Sequence, residues 1–181
     1  MDYCFNLCSL RNGGIMPTST EVAIATTTLG SAAASIDFST IPATYTDLRV
    51  VLISSTATAG RPVNYLRFNS DTGSNYSSTW LTGDGSTVGS SRESLATFIR
   101  GGENANNTDT GLSFITYDVF SYAGATNKTA LITNSRDNNG SGSTYRIVGL
   151  WRNTAAITSL TIAASAGNYK AGTTATLYGI L

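Results

Sequence analysis

The run LRVVLIS, Leu48 to Ser54, is the most hydrophobic in the chain, and its reading decides the fold. Its aliphatic and β-branched side chains fit a strand in the middle of a sheet. Working outward, Val22 to Leu29 is a β-branched run ended by Gly30. Ala33 to Phe38 leads to Ile41-Pro42, where proline cannot donate to a ladder. Val63 to Phe68 alternates with period two, which turns Leu66 and Phe68 toward the core. Further strands are expected at Ser94–Ile99, Leu112–Tyr122, Lys128–Thr133, Thr144–Trp151, Ile157–Ala163 and Thr174–Leu181. The last of these implies a C-terminus tied into a sheet.

Between these runs lie clusters of turn residues. Asn69 to Ser91 reads as loop, yet it holds Tyr76, Trp80 and Leu81, so one strand is expected to cross it. Gly101–Thr110 is a polar loop with three asparagines, and Asp137–Ser143 is a turn. Helix signals are confined to short alanine-dense pieces such as Ser31–Ser35. About ten short strands at regular spacing predict an all-β antiparallel β-sandwich, jelly-roll-like in topology. Residues 21–181 form a single domain, and residues 1–20 are an N-terminal arm or extension. Met16-Pro17 offers a second start site for translation. Neither a secretion signal nor an apolar run of the ~20 residues needed to span a bilayer is present.

The chain has 181 residues, no histidine and only 12% charged residues. Histidine is the commonest general base and metal ligand near neutral pH, so its absence removes the main tool of most hydrolase and metalloenzyme chemistry. Eleven basic residues balance eleven acidic ones. A neutral chain lacks the basic stripe that nucleic acid or an anionic membrane requires. It also has little colloidal protection as a free monomer, which points to life in an assembly.

Candidate chemistry is sparse. Cys4 and Cys8 have no further cysteine or histidine to complete a metal site, and read as small apolar thiols. Asn69, Asp71, Asn75 and Asp84 have oxygen ligands suited to Ca²⁺, but neighbouring glycines make turn chemistry the competing reading. The carboxylates Asp71, Asp84, Glu93, Glu103, Asp109 and Asp118 could pair across a cleft as in glycosidases. Most sit among turn residues. Lys128 and Lys170 could serve a Ser-Lys dyad, although no S-x-x-K motif occurs. Four N-x-S/T triplets start at Asn75, Asn106, Asn127 and Asn139, as expected by chance in so polar a chain. The expectation is a protein without enzymatic activity, cofactor or metal. Exposed aromatics remain, with Tyr76 and Trp80 as the candidate surface or glycan contacts.

Three blocks carry a resemblance. They are SIDFSTIPATYTDLRVVL (Ser35–Leu52), YLRFNSDTGSNYSSTWLTGDGS (Tyr65–Ser86), and GLWRNTAAITSLTI with AGTTATLYGIL (Gly149–Ile162 and Ala171–Leu181). Together they resemble small virion proteins of tailed bacteriophages, cyanophage-like ones above all, and modules appended to phage tail fibres. The resemblance implies a β-sandwich on the particle surface, made in the host cytoplasm and commonly trimeric, and it brings no catalytic residue.

Two functions follow as expectations. The first is a capsid decoration (cement) protein that binds the major capsid protein and itself as a homotrimer. In this reading the segment Met1–Leu29 lies in shell grooves or adds a strand to a neighbour, with Phe5, Leu7, Leu10 and Ile15 as capsid or subunit contacts. The second is a tail-fibre or host-receptor module that binds surface glycan through Tyr76 and Trp80. A polysaccharide depolymerase is a third, weaker class.

Overall fold

The structure is a computed structural model and describes residues 20–181. The expected arm, including Phe5, Leu7, Leu10, Ile15 and both cysteines, lies outside the described residues. Twelve strands follow in order: β1 (Glu21–Thr28), β2 (Ser35–Phe38), β3 (Asp47–Ser54), β4 (Val63–Phe68), β5 (Tyr76–Gly83), β6 (Val88–Ala96), β7 (Ile99–Glu103), β8 (Ser113–Phe120), β9 (Lys128–Arg136), β10 (Ser143–Trp151), β11 (Leu160–Ala164) and β12 (Thr174–Ile180). No helix occurs among the described residues, so none is long and apolar enough to cross a membrane.

The strands form two antiparallel sheets. The larger runs β1-β12-β3-β8-β9-β10-β5-β6 and the smaller β2-β11-β4-β7. Eight strands make a jelly roll: β1-β12-β3-β8 of one sheet matches β2-β11-β4-β7 of the other, and the chain alternates between them. The hairpins β9–β10 and β5–β6 then extend the large sheet beyond β8. The predicted antiparallel sandwich is therefore the fold. The β-branched run expected at Val22–Leu29 is β1, Glu21–Thr28, which pairs with β12.

Twelve strands replace the expected ten or so because Asn69–Ser91 holds β5 and the start of β6, rather than one strand. The sequence VGSSRESLA of β6 shows no alternation because nearly every residue on both its faces meets solvent. The expected strand Ser94–Ile99 is instead a corner. There Leu95 takes a left-handed backbone (φ 56°), β6 ends, and β7 starts at Ile99.

Alternation fixes the core. Leu48, Val50 and Leu52 of β3 and Ile115, Tyr117 and Val119 of β8 face Leu66 and Phe68 of β4 and Leu160 and Ile162 of β11, in one buried cluster. Burial of such side chains contributes roughly 1.5–3 kcal/mol each. The edge strand β7 lies close against β9 and β10, and glycine makes that approach possible. A Cβ on Gly102 would stand 2.2 Å from Asn134 Cβ, and one on Gly149 would stand 2.3 Å from Ile99 Cγ2. Each strand thus offers a gap that the other fills.

Beside this contact sits a buried amide network. Asn64 Nδ2 donates to Gly102 O, Asn104 Nδ2 donates to Pro62 O and Asn64 Oδ1, and Ser54 Oγ donates to Asn104 Oδ1. The stretch Gly101–Thr110, expected to be a polar loop, therefore begins as strand, continues through the buried Asn104, Ala105 and Asn106, and returns to the surface at Asn107. Asn104 and Asn106 satisfy buried backbone groups.

Candidate functional site

Where the small sheet stops, the large sheet continues, and its outer face is the broadest surface of the molecule. Register places Ile53, Phe114, Ser135, Thr144, Gly83 and Val88 in one row across β3, β8, β9, β10, β5 and β6. The next row reads Val51, Thr116, Thr133, Arg146, Leu81 and Ser90, and the one after it Arg49, Asp118, Leu131, Val148, Thr79 and Arg92. Six large apolar side chains on this face are exposed: Ile53, Leu81, Val88, Phe114, Phe120 and Val148, with Leu81 at 62% and Val88 at 93%. Between them lie Thr79, Thr116, Thr133 and Thr144, together with the charged Arg49, Asp118, Arg92 and Arg146. Exposed apolar side chains gathered on one face mark interaction surfaces in soluble proteins.

Sequence reading missed these residues. In β8 aromatic or aliphatic side chains fall on both faces, Ile115, Tyr117 and Val119 inward and Phe114 and Phe120 outward. Only the strict alternation Ser113, Ile115, Tyr117, Val119 against Phe114, Thr116, Asp118, Phe120 separates the two sets.

At one end of this face lies an open groove of about 600 Å³, lined among others by Asp84, Leu112, Phe114, Arg136, Ser143 and Thr144. Its floor is anchored by charge. Arg136 is buried, donates to Ser141 O and Ser143 Oγ, and approaches Glu103 at 3.6 Å and Asp109 at 3.7 Å. Arg61 holds Asp109 from the other side at 3.1 Å. Burial pushes the Asp109 carboxyl up, but the Arg61 hydrogen bond, the Asn106 N–H and the charges of Arg61 and Arg136 bring it below its ordinary value. Glu103 also accepts from Tyr145 Oη at 2.7 Å. All these groups are paired with one another, which makes the cluster a structural clasp.

The sequence-predicted residues fall in different places. Tyr76 is fully buried, stacks on Trp151 with centroids 6.2 Å apart, and gives its hydroxyl to backbone carbonyls at Phe68 and Asp71. It offers no face to a glycan, which corrects its reading as a surface contact. It lies on the inward row of β5, over the core. Trp80, two turns of the pleat along the same row, is half-exposed with the Arg100 guanidinium over its ring, Cζ to centroid 4.8 Å.

The proposed Ca²⁺ ligands do not converge. Asp71 and Asn75 sit before β5, whereas Asp84 sits in the turn after it. Asn69 Oδ1 accepts from Thr158 N and Ser159 N, and Asp84 Oδ1 accepts from Ser86 N and Thr87 N. Among the described residues no group of three His, Cys, Asp or Glu could hold a metal. The candidate dyad lysines also have other work. Lys128 Nζ, desolvated and lowered in pKa by burial, donates to the carbonyls of Gly124, Thr126 and Thr154, and Lys170 Nζ donates to Asn107 O. Asp118 pairs with Arg49 at 2.6 Å.

Fold and surface define a class: a jelly-roll sandwich with a broad, flat, partly apolar sheet face. Compared with known proteins, the chain matches no family model, no curated protein and no solved structure. The likeness to phage virion proteins accordingly rests on the three sequence blocks quoted above.

Proposed function

We propose that this chain is a non-enzymatic structural protein of a phage particle, a capsid decoration (cement) protein. It seats the outer face of its large sheet on the assembled shell. The observation that carries this reading is the set of exposed apolar residues Ile53, Leu81, Val88, Phe114, Phe120 and Val148 on one sheet face. Apolar and threonine side chains on this face desolvate at low cost, and Arg49 and Asp118 already pair with each other there. The partners are the major capsid protein and further copies of the chain, as a homotrimer. A ligand that binds only the assembled shell stabilises that shell by mass action, without any reaction.

The test uses Leu81→Lys and Val148→Lys, separately and together. Both side chains are exposed, so folding stability should change by less than about 0.5 kcal/mol. Occupancy on shells should fall for each and vanish for the pair. Wild-type occupancy by the folded double variant contradicts the reading.

A further inference from the structure

The large sheet overhangs the small one. β7, the edge of the small sheet, contacts β9, β10 and β5. The inward face of β5–β6 is therefore a ledge beside β7, on the side of the molecule away from the flat docking face. Five half-buried side chains line this step in a continuous ladder. Arg100 lies over Trp80 of the ledge and is the cross-strand partner of Tyr65. Tyr65 stacks on Phe98 with centroids 3.7 Å apart and planes 20° from parallel. Arg67 covers the Phe98 ring, with Cζ at 5.8 Å, and is pinned by its Nε hydrogen bond to Thr97 O at 2.9 Å.

Arg67 and Arg100 are the two arginines among the described residues laid over aromatic rings. Like Arg92, Arg146 and Arg152 they have no ion-pair partner there, whereas Arg49, Arg61 and Arg136 are each ion-paired. Arg100 Nε is buried and has no hydrogen-bond partner there either. A guanidinium laid on an aromatic face keeps its edge N–H groups free and fixed in direction. Glu93 is the acidic side chain facing the ledge, opposite Ser78 in register, and its Oε1 is also buried without a partner. Two guanidiniums against one carboxylate leave the step positive on a chain that is neutral overall. With Arg67 Nε held by Thr97 O and Arg100 Nε enclosed, the terminal guanidinium N–H groups and the half-exposed rings match an anionic group carried on a ring rich in hydroxyls.

We propose that the step binds an acidic saccharide of the uronic-acid class. The sugar carboxylate takes the terminal N–H groups of Arg67 and Arg100, and its ring lies along Trp80 and Tyr65. Planar guanidinium groups match carboxylates in two-pronged hydrogen bonds, which selects a carboxylate over a neutral ester. The site stands apart from the docking face and does not depend on the decoration reading.

The test is titration calorimetry of the full chain with oligogalacturonate, its methyl ester, and a sulfated oligosaccharide lacking carboxylates. The free acid should bind at least about tenfold more tightly than the ester, and affinity should fall as salt is raised. Arg67→Gln and Arg100→Gln should each lower affinity about tenfold or more with an unchanged urea midpoint. If Arg100→Gln fails to fold, Arg100→Lys, which keeps the charge and loses the fork, should show the same loss. No binding at millimolar acid, equal binding of acid and ester, equal binding of the sulfated oligomer, or wild-type affinity in folded Arg67→Gln would each overturn the assignment.

Discussion

Trp151 Nε1 donates a 2.7 Å hydrogen bond to Asp71 Oδ2, which joins the buried end of β10 to the turn between β4 and β5. The same carboxylate accepts from Gly73 N at 2.8 Å and from Asn75 Nδ2 at 2.9 Å. Asp71 thus closes its own turn and satisfies the indole of a side chain packed on Phe68 and Tyr76. A residue that resembles a calcium ligand in sequence is a latch in the fold. Asp71→Ala leaves the buried indole N–H without a partner and should cost about 1–3 kcal/mol in urea unfolding. Asp71→Asn keeps an acceptor oxygen and should cost less.

The contact between β7 and the large sheet gives a second expectation. Gly149→Ala drives a methyl group into Ile99 and should destabilise by about 1–3 kcal/mol or more. Ile99→Ala opens a cavity and should cost about 2–5 kcal/mol alone. The double variant should be more stable than the sum predicts, because each change relieves the other. Additive losses in a double-mutant cycle would show that the two strands do not interlock.

Acid should loosen the fold. Asp109 and Asp71 both titrate below their ordinary values in the folded protein, Asp109 through Arg61 against the effect of burial and Asp71 chiefly through Trp151. A carboxylate with a depressed folded pKa contributes stability that is fully present above its unfolded value, about 3.9. That contribution is lost as pH falls through the folded value. The urea midpoint should therefore drop steeply below about pH 4. Asp109→Ala should flatten part of this slope. At neutral pH it should also cost about 1–3 kcal/mol, because Arg61 loses its ion pair and the buried Arg136 is left with Glu103 as its one carboxylate.

The strands that turn one apolar face inward were legible in the sequence. Leu48–Ser54 and Val63–Phe68 match β3 and β4 to within a residue, since their burial follows their pattern. β6 was hidden because a strand exposed on both faces has no pattern to show. Tyr76 and Trp80 share one polar neighbourhood in sequence, yet one is core and the other half-exposed. The difference arises from how far the small sheet reaches beneath β5, a tertiary fact that no local signal carries. The outer apolar face was hidden for a related reason: Phe114 and Phe120 share β8 with the inward Ile115, Tyr117 and Val119. The arginine–aromatic step depends on β4 and β7 pairing across about thirty residues, and local pattern does not report such a pairing.

Attachment of the large sheet's outer face to a particle shell, as proposed, is measured by cosedimentation of the purified protein with undecorated phage shells. Wild type should load the shells to saturation, whereas the folded Leu81→Lys/Val148→Lys variant should stay in the supernatant. Equal loading of both, or no loading of wild type, would contradict the account.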